Sequence, residues 1–410
     1  MTVPANQPSM TALVVGGSGM AGSAILRELA GKATVQPLAL ARRPFTPPSA
    51  SVRIINADIQ DSGGLRQALE GYRVTHLFYA AHIPVTAAMG GKFPINPEAF
   101  RRLLRRYAGR REISEAILHK LAALTFTHDP EKRNLAAFRN VLMVLREEPH
   151  DLKHVTLVTG TRYYGIQAGP VFNPHWKLPI RETDRRFEVS NWYFDVEDEL
   201  KASGVAWNIL RPTYLVGQNE YSFQNLVLAL SCYAQACRRM GVPLLFPGGR
   251  EIFSRLWEVT STDLLAKMAW WVASHAGCQE NDEDGAASPV VNQSFTAANG
   301  DPFTWQELWP RLAQHYDLAW QVPEQAVSAE RFILEQVRGR GLPIEEMLVY
   351  HLRFIDMAMI CNWDVCYSMA KARQAGFHYA VDTLNLFDEL WRADADHPVT
   401  QAVARQEGSG

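Results

Sequence analysis

The chain has 410 residues, 47% of them apolar, and carries 41 basic against 43 acidic side chains for a net charge of −2. It can bury a large core, and its length allows about two or three domains. The balanced charge gives no global reason to expect nucleic acid or an anionic membrane as a partner. Residues 1–10 are polar, without a basic start or an apolar run, so no secretory signal is expected. No stretch is apolar for long enough to span a bilayer. Five cysteines, at 232, 237, 278, 361 and 366, fit no zinc spacing. Reduced thiols in a cytoplasmic protein, with no metal, are the expectation.

Thr11 to Val15 reads as a buried strand running into Gly16-Gly17-Ser18-Gly19-Met20-Ala21-Gly22, and Ala24 to Ala30 as a helix that stops at Gly31. Glycines between a strand and a helix let the backbone approach a pyrophosphate, while the helix N-terminus offers amide donors and partial positive charge. Gly16, Gly19, Met20 and Gly22 are therefore candidate cofactor contacts. The second strand, Val35 to Ala41, ends in Arg42-Arg43-Pro44. An acidic residue near there suits the ribose hydroxyl of NAD, whereas arginine suits a 2′-phosphate. Ser51 to Ala57 is the third strand, followed by Asp58 and Ile59. Asp58 is placed either to accept a hydrogen bond from an adenine amino group or to cap a helix. Thr75 to Tyr79 is the fourth strand, running into Ala80-Ala81-His82.

An insertion follows from Phe93 to Asp129. Asn96-Pro97-Glu98 looks like a helix start, and Phe100, Leu103, Leu104 and Tyr107 share one face of that helix. Arg101, Arg102, Arg105 and Arg106 lie largely around the others and read as a solvated surface rather than a nucleic-acid patch. Asn134 to Leu145 is the next helix, His154 to Val158 the fifth strand, and Trp207 to Leu210 the sixth, ending in Arg211-Pro212-Thr213. Alternating strands and helices imply α/β architecture: a Rossmann-type, doubly wound parallel sheet covered on both faces. Beyond Gly217 the pattern becomes mainly helical, with helices expected over Phe223 to Met240, Thr262 to Ser274, Phe303 to Tyr316, Ala329 to Gly339 and Ile344 to Ile360. Glu280 to Ser288 reads as an exposed loop. The expected division is a cofactor-binding domain over 1–216 and a smaller helical substrate-binding region over 217–400. Residues 255–300 are expected to return to the sheet, and 401–410 to form a tail.

These motifs resemble, in order, the progesterone 5β-reductase and iridoid synthase group, an atypical branch of the extended short-chain dehydrogenases. The resemblance rests on Gly16 to Gly22, Ala41-Arg42-Arg43-Pro44, Val74 to Tyr79 and Phe138 to Leu142. It continues through Thr159-Gly160-Thr161-Arg162-Tyr163-Tyr164-Gly165 and Asn191-Trp192-Tyr193-Phe194-Asp195-Val196-Glu197-Asp198. Farther on, Ala298 to Trp305 and Lys371 to Phe377 also fit. It implies an NADPH-dependent reductase of carbon–carbon double bonds conjugated to a carbonyl, acting on a small enone or enal. Hydride would reach the β-carbon, and Tyr193 would donate to the developing enolate oxygen.

Two departures from the group stand out: Arg162 occupies the place of its motif lysine, and the segment from Phe93 to Asp129 is inserted. Glu197 stands where other short-chain dehydrogenases keep a lysine four residues after the tyrosine. The resemblance also implies cofactor contacts at Ile59, Ala80, Ala81, Thr159, Pro212 and Thr213, besides those named above. It implies substrate contacts at His82, Tyr164, Phe223 and Phe354. The insertion is compatible with a substrate lid or an oligomer contact, such as a homodimer. Two other readings stay open: an NAD(P)-dependent epimerase, dehydratase or carbonyl reductase on the same fold, and a cofactor-sensing protein without turnover.

Overall fold

The computed structural model describes residues 9–83, 106, 129, 132–189, 191–219, 222, 225–275, 288–340, 346–394, 400 and 403. Of the expected insertion only Arg106 and Asp129 fall within this set. Phe223 lies outside it, as do the expected tail apart from Val403, which is buried in the core of the helical region, and the loop expected over 280–288 apart from Ser288.

Near-continuous apolar runs place the first six strands: β1 (Met10–Val15), β2 (Val35–Ala41), β3 (Arg53–Asn56), β4 (His76–Tyr79), β5 (His154–Val158) and β6 (Ala206–Pro212). Two strand pairs flank the sheet: β7 (Tyr214–Val216) with β10 (Val259–Ser261), and β9 (Leu256–Trp257) with β12 (Phe303–Thr304). A third joins β8 (Leu244–Leu245) to β13 (Trp320–Gln321). The central sheet has seven strands in the order β11-β6-β5-β4-β1-β2-β3, with β11 (Gln293–Ala297) at one edge. Every pairing in it is parallel. A parallel sheet must be covered on both faces, and alternate side chains of each strand serve opposite cores. Leu13, Val15, Leu38 and Leu40 pack on one side. They meet α2 (Ser62–Ala68), α3 (Arg133–Leu145) and α4 (Trp192–Ala202) through Leu65, Phe138 and Val196. Ala12, Val14 and Ala39 face the other side, where α1 (Met20–Ala30) and α6 (Thr262–His275) contribute Ile25 and Leu265.

A third core belongs to the helical region. It joins α5 (Leu226–Met240), α7 (Trp305–His315), α8 (Ala329–Gly339), α9 (Glu346–Ala358) and α10 (Thr383–Asp394) around Tyr233, Trp309, Ile333, Leu352 and Trp391. Here the expected boundaries shift. The helix expected from Phe223 begins at Leu226, because the Asn225 side chain accepts from the Leu228 N–H and caps it. The helix expected from Phe303 begins at Trp305, because Thr304 and Glu307 form a capping box and Phe303 pairs with Trp257 instead. Helix α10 had no counterpart among the expected elements.

Beyond β4, a side-chain clip ties Ile83 to the start of α3. Asn134 accepts from the Ile83 N–H at 2.8 Å, donates to its carbonyl at 3.2 Å, and is held in turn by Asp129. Among the described residues, no helix is long and apolar enough to cross a membrane.

Candidate active site

Strand order reverses between β1 and β4, opening a crevice at the carboxyl ends of the strands where ligands bind in such sheets. Gly16 stands there with φ +87°, and a Cβ on it would lie 2.9 Å from the Ala80 carbonyl and the Ala81 backbone. A Cβ on Gly22 would come within 2.2 Å of the Gly16 carbonyl oxygen. Both positions therefore require glycine, for backbone geometry and for the close approach of helix to turn. Helix α1 starts after Gly19 with no side-chain cap and no acid in its first turn, so its N-terminal amides are left for an anion. Arg42 and Arg43 are exposed at the end of β2. This cradle fits a dinucleotide: amides for the pyrophosphate, cations at the ribose end.

Gly22→Ala is expected to weaken dinucleotide binding by about tenfold or more, roughly 1.4 kcal/mol. Fluorescence titration of the purified variant checks this. Sequence reading missed a further contact. Asn219, from the loop after β7, donates to the Ser18 carbonyl at 3.2 Å and the Ser23 hydroxyl at 3.0 Å. It ties the glycine turn to the segment that enters the helical region.

Asp58 accepts from the Gln60 N–H at 2.9 Å, and Ile59 packs partly buried beside the sheet core. Ala80 and Ala81 line the crevice beside Gly16. Pro212 ends β6, while the Thr213 hydroxyl donates to the Glu258 carbonyl and its N–H donates to Thr260. His82 is exposed and stacks on Trp192, with ring centroids 5.5 Å apart. Phe354 is buried in the core of the helical region, against which Tyr214 also packs.

Tyr193 sits in the first turn of α4. Asn191 caps that helix, accepting from the Tyr193 N–H at 3.0 Å, and donates through its amide to the Arg162 carbonyl at 3.3 Å. One asparagine thus joins the tyrosine segment to the arginine segment. The phenol lies on the backbone of Gly160, where an added Cβ would stand 3.2 Å from the hydroxyl. Burial raises the Tyr193 phenol above its ordinary pKa, the Arg162 charge opposes this, and Glu197 adds to it. Arg162 also acts on Tyr214, lowering a phenol that burial pushes up to about 12. Tyr214 in turn stacks on Trp257 with ring centroids 5.7 Å apart. The guanidinium is thereby shared between two phenols, an arrangement the sequence did not suggest.

Glu197 lies one helical turn after Tyr193, inside the protein. It is fully buried and accepts from Arg211 Nε at 3.0 Å and from the Thr159 hydroxyl at 2.9 Å, with a second contact from Arg211 Nη2. The Thr159 hydroxyl is therefore engaged with Glu197. Tyr164 is buried too, and its hydroxyl accepts from Arg211 Nη1 at 2.9 Å. The acid that replaces the usual lysine is one half of an internal ion pair.

A family model described as NAD(P)H-binding matches residues 16–228. A 3-oxo-Delta(4,5)-steroid 5-beta-reductase from Arabidopsis thaliana is 31% identical over 224 residues, which is 52% of this chain and 53% of that protein. An (S)-8-oxocitronellyl enol synthase from Antirrhinum majus is 30% identical over 193 residues, 45% of this chain and 46% of its own length. The chain spans about half the length of the curated relatives it matches. Among solved structures, an epimerase from Methanothermobacter thermautotrophicus superposes with a TM-score of 0.60 over 97% of this chain and 96% of that one. At 13% identity that likeness concerns the fold.

Proposed function

Since the chain belongs to the NAD(P)H-binding family, we propose that it is an NADPH-dependent reductase of carbon–carbon double bonds conjugated to a carbonyl. The observation that carries this reading is the placement of the Tyr193 hydroxyl on the Gly160 backbone, with Arg162 acting on it electrostatically. The two relatives support the substrate class. One is named for reducing a 3-oxo steroid whose double bond is at the 4,5 position, the other for making an enol from an oxocitronellyl compound.

A reduced nicotinamide, when bound, supplies the hydride. Tyr193 then donates a hydrogen bond to the substrate carbonyl oxygen and strengthens it as negative charge gathers there. Arg162 keeps a positive field beside the phenol, favouring polarisation of the O–H bond. Gly160 keeps the approach to that hydroxyl free of a side chain. An epimerase or simple carbonyl reductase of the usual kind would need a lysine where Glu197 is committed to Arg211. The test is NADPH oxidation across a panel of small and steroidal enones, with saturated ketones as controls. Turnover of the ketones alone would overturn the reading.

NADPH is expected to bind more tightly than NADH, because Arg42 and Arg43 follow β2 with their side chains exposed. An arginine–phosphate contact contributes about 1.5–3 kcal/mol, which is roughly ten- to hundredfold in affinity. Titrating both cofactors into the wild type and the Arg42→Ala/Arg43→Ala double variant measures it. Equal wild-type affinities would sink the 2′-phosphate assignment.

A further inference from the structure

Glu197 follows Tyr193 by one helical turn and lies on the same side of α4. Its carboxylate gathers the carboxyl ends of two adjacent strands, through the Thr159 hydroxyl beyond β5 and the Arg211 guanidinium on β6. Arg211 then reaches onward. Its Nη1 donates to the Tyr164 hydroxyl, and its guanidinium carbon lies 3.5 Å from the centre of the Tyr163 ring. Tyr163 and Tyr164 directly follow Arg162 in the turn Thr161–Tyr164. The same ion pair therefore touches the helix that carries the tyrosine and the turn that carries the arginine. Glu197 is 0% exposed and Arg211 2%, so neither is available to meet substrate directly.

We propose that Glu197 and Arg211 are a positioning clamp for the Tyr193 site. The pair sets the seating of α4 on the Gly160 turn, and the guanidinium offsets part of the carboxylate's field at the phenol. Buried ion pairs are poor sources of net stability, because desolvation offsets their attraction; their attested use is to fix one arrangement. The charged and titratable groups acting on Tyr193 are Arg162 and Glu197. Those acting on the pair are Tyr163, Tyr164, Arg186, Lys201 and Lys371.

The clamp rests on the reading of Tyr193 as the donor to substrate, so its test includes a measurement that needs no turnover. The phenol of Tyr193 is titrated by ultraviolet difference absorbance, subtracting Tyr193→Phe in each background. Glu197→Gln removes an influence that raises the phenol, so its midpoint is expected to fall by about half a pH unit or more. Arg211→Lys keeps a positive charge but loses the two-pronged contact and the Tyr164 bond, leaving the carboxylate less well compensated. Its midpoint is expected to rise, with kcat about tenfold lower and KM for NADPH within about twofold of wild type. A folded Glu197→Gln protein with a wild-type midpoint overturns the proposal, as does Arg211→Lys with both midpoint and kcat unchanged. Should Glu197→Gln lack the wild-type circular dichroism, Arg211→Lys decides alone. An inert wild type would refute the reductase reading, while the titration midpoints would still decide the clamp.

Discussion

Tyr193→Phe is expected to lose about a hundred- to thousandfold in kcat on the best conjugated carbonyl substrate, with NADPH affinity within about twofold of wild type. The substitution removes one hydroxyl and nothing else. The ring keeps its edge contact with Trp192, 4.5 Å between centroids, and its seat on Gly160. The helix cap is also kept, because Asn191 accepts from the backbone of residue 193 and not from its side chain. The fold and the cofactor cradle are therefore untouched, and the loss falls on the step in which charge develops on the carbonyl oxygen. Single-turnover oxidation of prebound NADPH, alongside an equilibrium titration of the cofactor, separates the two effects. A variant near the wild-type rate would show that another group is the donor.

Arg162→Met is expected to cost about a hundredfold in kcat, while Arg162→Lys retains substantial activity. Methionine keeps an apolar stem of similar length without the charge; lysine keeps the charge without the planar head. The pH profile carries the sign of the effect. Burial and Glu197 both lift the Tyr193 phenol, and Arg162 pulls it down. Without Arg162 the phenol keeps its proton to higher pH, so the alkaline limb of the Arg162→Met profile shifts upward, provided that limb reports Tyr193. The lysine variant keeps the limb near the wild-type position. Met and Lys variants with matching rates and profiles would show that the site does not work through this charge.

Much of the scaffold was legible because its signals are local. Buried parallel strands announce themselves as short apolar runs, and β1, β2 and β5 matched such runs at most of their positions. The glycine turn and the arginines after β2 are contiguous motifs. The ion pair was not legible. Glu197 registered only as a missing lysine, since nothing in a linear pattern says that it will meet Arg211 from the neighbouring strand β6. That contact depends on how α4 is rotated over the sheet. Arg162 was recognised as a cation near the tyrosine, but its action on Tyr214 of β7 is a tertiary contact that no spacing rule supplies. In the helical region the apolar positions were readable but the boundaries were set by caps. The Thr304/Glu307 box was the available signal there, and it would have placed the start of α7 correctly.

The pairing of β11 with β6 bears on how the protein is made. The strand that completes the sheet is translated only after α5, the first helix of the helical region, and α6, which covers α1 through the shared core, also comes late. Until then the nascent sheet ends at β6, with unpaired backbone groups along one side and an apolar face without its lid. Such an edge invites pairing with other chains. A fragment stopped after Val216 would hold the glycine turn and Tyr193 yet keep that adhesive border for good. The cofactor half is therefore a poor candidate for expression by itself, and the later segment acts toward it as a built-in chaperone.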